Sequence, residues 1–292
     1  MAKLIATPRA RTLGFGLRAA RKARTLGLRE LARLAQVAAQ DLSHWEKGVR
    51  VPSAAQLGIL LGFLKVGAAE RNRLLALAAS AHEPDWLESR VPGSALGISA
   101  YVAYERSASA VFNWESTLVP GLLQTEDYAR LALSVGRRSP VEVEGRLRAR
   151  MSRRDVLGGR GLLQYNVLVS ESVLHGRLGG DEVMVPQLEH LHVMAQRPNI
   201  TVRVLPNNEE FHPGLHGAFV SFDFPDLPPI VYLEQYLSSA YLYSEGQAAE
   251  YQAAQRSMTA LALTERDSLA SLREIILERG GSCLPERVRQ SN

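Results

Sequence analysis

The sequence predicts an α+β protein in two parts: an all-helical domain of five short helices over residues 13–80, then a larger α+β domain over 97–279. Three observations carry that reading. A chain of 292 residues is long for one ordinary domain and suits two, at roughly 100–200 residues each. Its charge is divided unevenly: residues 1–80 hold 14 Lys/Arg against 4 Asp/Glu and the remainder 20 against 26, although the net charge is only +4. Apolar residues recur at helical spacing up to about residue 80, and beyond it alternating, strand-like runs appear. The flanking pieces are expected to be a flexible basic arm (1–12), a linker (81–96) and a disordered tail (280–292).

Composition narrows the class further. A hydrophobic fraction of 46% and a charged fraction of 22% are those of a globular protein with a buried core. The one cysteine, Cys283, excludes an internal disulfide framework and a thiolate-rich zinc module, and fits a reducing compartment. No apolar run approaches the roughly 20 residues of a membrane span, and no secretory h-region follows the basic start. The expectation is a cytoplasmic protein with no membrane contact. All four lysines (Lys3, Lys22, Lys47, Lys65) lie in the basic segment, which suits a phosphate-rich partner.

The helices follow in order. Leu13, Leu17 and Ala20 space the first apolar stripe. Gly27 stands where an N-cap would, with Glu30 three residues on, opening a second helix whose stripe is Leu28, Leu31, Leu34 and Ala35. Residues 36–39 form a tight connection to a third helix over 40–47, with Leu42 and Trp45 inward and Gly48 at its end. Ser53 and Gln56 form a capping box before a fourth helix with Leu57, Leu60, Leu61 and Leu64 inward, and Leu74, Leu75 and Ala78 mark the fifth. In the second domain, helices are expected over 97–109, 123–135, 140–156, 181–196, 245–263 and 265–279. Strands are expected over 162–169, 200–205, 218–224 and 230–235.

Helices two and three, with their short turn, form the unit that carries function. A short turn holds two helices at a large angle, so the second can enter a major groove about 12 Å wide while the first crosses the backbone. Leu31, Ala32, Val37, Leu42 and Trp45 are the expected core. Gln40, Asp41, Ser43, His44 and Lys47 stay outward. The residues Leu17-Arg18-Ala19-Ala20-Arg21-Lys22-Ala23-Arg24, Leu31-Ala32, Leu42-Ser43-His44-Trp45-Glu46-Lys47-Gly48 and Pro52-Ser53 resemble, in order and spacing, the lambda-repressor-like (Cro/XRE-type) helix-turn-helix family. That resemblance implies double-stranded DNA as partner, bound by a homodimer. It places Ala39, Gln40, Ser43 and His44 on the base-facing positions and makes Glu46 a residue that knits the domain. Arg18, Arg29, Lys47 and Arg50 are placed for phosphates. The sequence departs from the family at Ala38, where a Ser or Thr N-cap is usual, and at Gln36, where a turn Gly is common.

The second domain carries its own resemblance. Tyr104-Glu105, Ala108, Trp114-Glu115 and the run from Val119 to Arg130 are similar to a sensor-like domain. So are 146–154, Gln187-Leu188, Arg197-Pro198-Asn199-Ile200, Val204-Leu205-Pro206 and Tyr232-Leu233-Glu234. That domain accompanies this helix-turn-helix in actinobacterial regulators described as antitoxin-like members of toxin–antitoxin-type pairs. It implies a partner, often a small protein encoded nearby, and leaves any small-molecule effector unknown. Glu105, Trp114 and Glu234 are the candidates for an effector or partner site, the two carboxylates because each lies in an apolar stretch that would bury it.

Enzyme chemistry finds no support. Glu209, Glu210, His212 and His216 have ligand chemistry, but Pro213-Gly214 breaks the helix an HExxH site needs. Nucleophile elbow, phosphate loop and dinucleotide fingerprint are all missing. The expectation is a DNA-binding transcriptional regulator with no catalytic residue, cofactor or metal. A partner-sequestering protein with weak or no specific DNA binding is the alternative.

Overall fold

A computed structural model describes residues 6–82, 86–89, 96–136, 138–158, 163–207, 211–236 and 238–282. The chain divides into two compact units, Met1–Tyr104 with Asp226–Glu245, and Glu105–Pro225 with Gly246–Asn292. The class is the expected one, a helical N-terminal region followed by mixed helix and strand.

The first unit opens with α1 (Pro8–Ala23), α2 (Leu28–Leu34), α3 (Ala39–Glu46), α4 (Ala54–Phe63) and α5 (Ala68–Ala79). Their caps explain their starts. Thr7 Oγ1 accepts from the Ala10 amide at 3.1 Å, and Pro8 occupies the first helical turn, where its missing N–H is harmless. Ser53 and Gln56 form the reciprocal box that begins α4. The core is a leucine set: Leu13, Leu17, Leu31, Leu42, Leu57, Leu60, Leu61 and Leu74 are all buried. Each contributes about 1.5–3 kcal/mol relative to an exposed side chain.

Two expectations for this region are corrected. Residues 6–12, expected to be a mobile arm, instead lead into and begin α1, and Arg11 is fully buried. Its guanidinium donates to carbonyls, from Nε to Ala6 O at 2.9 Å and from Nη1 to Pro228 O at 2.7 Å. The second acceptor lies 217 residues away, which is why the stretch reads as solvated in one dimension. Burial pushes the Arg11 pKa down to about 10, so it remains charged at neutral pH. Residues 86–89, expected to be linker, form β1 (Trp86–Ser89).

The same unit contains α6 (Leu96–Ser107) as far as Tyr104, together with β6 (Ile230–Glu234) and β7 (Ser238–Leu242). β1 and β6 pair antiparallel to the two sides of β7, with Trp86 opposite Tyr241 and Tyr232 opposite Tyr241. Tyr104 ties these pieces to α1. Its hydroxyl lies 2.7 Å from Pro8 O and 2.9 Å from Thr12 Oγ1, and its ring packs edge-on to Phe15 and Tyr241.

The second unit is built on four strands, β2 (Ala110–Glu115), β3 (Gln164–Ser170), β4 (Ile200–Leu205) and β5 (Phe219–Asp223), in the order β5-β2-β3-β4. β2 runs parallel to β3 and antiparallel to β5, and β3 runs parallel to β4. Parallel neighbours need long crossovers. Here α7 (Glu126–Ser134) and α8 (Pro140–Ser152) lie between β2 and β3, and α9 (Glu171–Leu174) with α10 (Asp181–Met194) between β3 and β4. The chain ends in α11 (Glu245–Leu261) and α12 (Glu265–Glu278). The central strand β2 escaped the sequence reading because Val111, Phe112, Asn113 and Trp114 are all buried, so it lacks the alternation of a one-sided strand. Residues 280–282 correct the expected disordered tail: the Gly281 amide donates to Ile276 O at 2.9 Å and the Ser282 amide to Glu189 Oε1 at 2.8 Å. Residues 283–292 lie outside the described residues.

Candidate nucleic-acid interface

Helix α3 is held by a small number of strong contacts. Leu42 and Trp45 are 0% and 5% exposed and form its inner face, with Leu31 and Ala32 of α2 buried beside them and Val37 half-buried in the turn. Behind α3 runs α1, and the two approach closely because Gly14 carries no side chain. A Cβ there would lie 2.5 Å from Trp45 O. Gly48 ends α3 at a φ of +69°, and a Cβ on it would stand 2.6 Å from Arg11 Cα. A glycine is required there both for the left-handed turn and for the space.

Beneath the helix is a buried ion pair. Arg21 donates from Nε to Glu46 Oε1 at 2.6 Å and from Nη2 to Glu46 Oε2 at 2.7 Å, and from Nη1 to Leu26 O at 2.9 Å. Both residues are buried, and the hydrogen bonds to Glu46 hold the Arg21 pKa above its ordinary value. This two-pronged geometry fixes the end of α3 against α1 and the turn before α2. Glu46 therefore has the knitting role the family resemblance implies.

The outer face carries the expected readers. Gln40 is exposed, while Ala39, Ser43 and His44 are half-buried. His44 is the least free of them: its Nδ1 is shielded from solvent and has no hydrogen-bond partner among the described residues. Arg18, Arg29, Lys47 and Arg50 are all exposed. Arg18 approaches Glu46 at 3.9 Å. Arg50 donates to Asp41 Oδ1 at 3.3 Å, so the carboxylate in the first turn of α3 is paired with a cation.

Two weaknesses of the unit are also visible. Ala38 is the N-cap of α3 and offers no side-chain acceptor. Gln36 adopts a φ of +53° in the turn between α2 and α3, a left-handed conformation that costs a non-glycine residue roughly 1–2 kcal/mol. Sequence reasoning missed Arg11, Gly14 and Tyr104 as supports of α1 and α3. A glycine inside the α1 pattern was the available signal for Gly14.

The effector candidates fare differently. Glu105 is buried and accepts from Arg153 Nη2 at 2.6 Å and Nε at 2.8 Å. Burial pushes its carboxyl up, and Arg153 pulls it back down. Trp114 is core of the second unit, with its indole N–H donating to Gly214 O at 3.1 Å and its ring edge-on to His212. Glu234, expected to be buried, is exposed on β6, because it follows the last inward residue of that strand. Glu234 belongs to the first unit, and Glu105 and Trp114 to the second. Of the residues with ligand chemistry, His212 is buried, His216 is exposed, and Glu209 and Glu210 lie outside the described residues. Among the described residues no three metal-ligating side chains gather, and no helix is long and apolar enough to cross a membrane.

Residues 12–74 match a helix-turn-helix domain family, and residues 98–274 match the family described as a domain of unknown function (DUF5753). No curated protein matches the chain.

Proposed function

Because the chain belongs to the DUF5753 family and carries a helix-turn-helix domain, we propose that it is a DNA-binding transcriptional regulator rather than an enzyme. In this reading a homodimer places two copies of α3 in successive major grooves of operator DNA, about 34 Å apart. Gln40 pairs with adenine, Ser43 donates to a base edge, and Arg29, Lys47, Arg18 and Arg50 hold phosphates. One observation carries the reading: Leu42 and Trp45 are buried while Gln40 stands exposed on the other side of the same two-turn helix. The basic surplus of residues 1–80 supports it. The C-terminal domain takes the regulatory partner, a small protein encoded nearby in antitoxin fashion or a small molecule. Its occupancy changes DNA affinity through linkage.

The test separates readers from phosphate contacts. Gln40→Ala and Ser43→Ala each weaken operator binding by about 1–3 kcal/mol and leave random DNA nearly unaffected. Arg29→Ala and Lys47→Ala weaken both and reduce the slope of log affinity against log salt by about one unit. Equal losses on operator and random DNA would remove Gln40 and Ser43 as readers. A second reading, an antitoxin-type protein that sequesters its partner with little specific DNA binding, is favoured by the Asp41–Arg50 pair and the uncapped start of α3. It predicts a shallow salt slope in the unaltered protein.

A further inference from the structure

Within the second unit, the segment that runs from Gly121 into the start of α7 is gripped from two sides. From α10, Gln187 accepts from the Thr125 amide at 2.7 Å and donates to Leu123 O at 2.8 Å. From α8, Arg150 donates to Gln124 Oε1 at 2.7 Å. Arg153, in the turn that follows α8, is committed to Glu105.

Two groups on these same elements remain unmatched. Arg154, next to Arg153, has its Nε and Nη2 shut off from solvent with no hydrogen-bond partner among the described residues, and so does Nε2 of His190. His190 follows Gln187 by three residues, so it lies on the face of α10 that meets the gripped segment. Buried donors are nearly always satisfied, and several unsatisfied together call for an acceptor. Both side chains remain half-exposed overall, so the place is reachable from solvent. The two also sense each other: His190 is pushed down by burial and by the Arg154 charge, and Arg154 is pushed down by burial. The carboxylate that acts on Arg154 is Glu126, which is exposed in the first turn of α7 and makes no hydrogen bond to it among the described residues.

We propose that Arg154 and His190 bind a small oxyanion, the phosphate or carboxylate group of a small-molecule effector. A guanidinium presents two parallel N–H groups to such an oxyanion, and an imidazole N–H completes a three-point cradle. The inference concerns the second unit alone and stands whether or not α3 reads DNA.

The experiment is titration calorimetry of the full chain, free of DNA, with inorganic phosphate in one arm and acetate in the other, at ionic strength held constant with chloride. The expected result is saturable binding in at least one arm, and the arm that responds names the group. Arg154→Gln lowers that affinity by about tenfold or more, and Glu126→Gln raises it by removing the competing carboxylate. The second variant changes an exposed side chain, so it keeps the test decisive if Arg154→Gln fails to fold. No binding in either arm overturns the proposal. So does equal binding by Arg154→Gln, which would assign the anion to the basic first unit, or an unchanged affinity in Glu126→Gln.

Discussion

The two compact units each contain an arginine clasped in two-pronged fashion by a buried glutamate, Arg21 with Glu46 in the first and Arg153 with Glu105 in the second. What surrounds the clasp differs. Around Glu46 the neighbours are leucines and close-packed glycines, and the arginine's third contact is a nearby carbonyl. The second unit carries a more polar interior: Asn113 Oδ1, Ser221 Oγ, His212 Nδ1, His190 Nε2 and two nitrogens of Arg154 are shielded and unmatched among the described residues. With both carboxylate oxygens and the third guanidinium contact matched, the Arg21–Glu46 clasp holds one helix in place. An interior with donors to spare is suited to receiving something else.

The largest effect should come from breaking the clasps. Glu46→Ala strands a buried guanidinium and Arg153→Ala a buried carboxylate, and each should cost about 3–5 kcal/mol in urea unfolding. The two differ in their pH dependence. A carboxylate whose folded pKa is raised contributes stability at low pH that is lost as pH rises through that value, and Glu105 is raised by burial even with its partner present. The deficit of Arg153→Ala should therefore be smallest near the ordinary carboxylate range, about pH 4, and grow toward neutrality. A flat profile between those limits would show that Arg153 does not alter the ionisation of Glu105 in the folded protein.

Next in size is Gly48→Ala, which places a Cβ 2.6 Å from Arg11 Cα in a left-handed turn. About 2–3 kcal/mol should be lost, combining backbone strain with overpacking, and operator binding should fall as α3 shifts. Wild-type stability in thermal unfolding would mean that α1 and α3 can part freely, and the picture of a rigid scaffold would fail. The smallest change runs in the other direction. Ala38→Ser supplies the missing acceptor at the start of α3, whose φ of −66° and ψ of 137° already suit a cap. It should raise stability by about 1 kcal/mol. If DNA affinity rises with it, fraying of α3 limits binding in the natural protein.

Legibility in the sequence followed the range of the interactions. The five N-terminal helices, the Ser53–Gln56 box, the glycine end of α3 and its Leu42/Trp45 inner face were readable, because periodicity and caps act over three or four residues. Glu46 was readable through its register in a motif. Val37 was harder: it sits in the turn, and only half of it is covered. In the second unit the longer helices and β3, β4 and β5 were found within a few residues, but α9 and β2 were not. A strand covered on both faces has neither alternation nor helical spacing to betray it.

By itself, then, the sequence determined that five helices make up the N-terminal part, which face of α3 turns inward, and how charge divides between the two parts of the chain. Tertiary structure alone decided that Arg11 meets Pro228 and that Tyr104 seals α1. It also decided that Trp114 is core rather than pocket wall, and that two nitrogens of Arg154 and Nε2 of His190 are shielded without a partner among the described residues. The reason is physical. A hydrogen bond or a buried surface is a property of two partners, and when these lie a hundred or two hundred residues apart, no local pattern in either records the other.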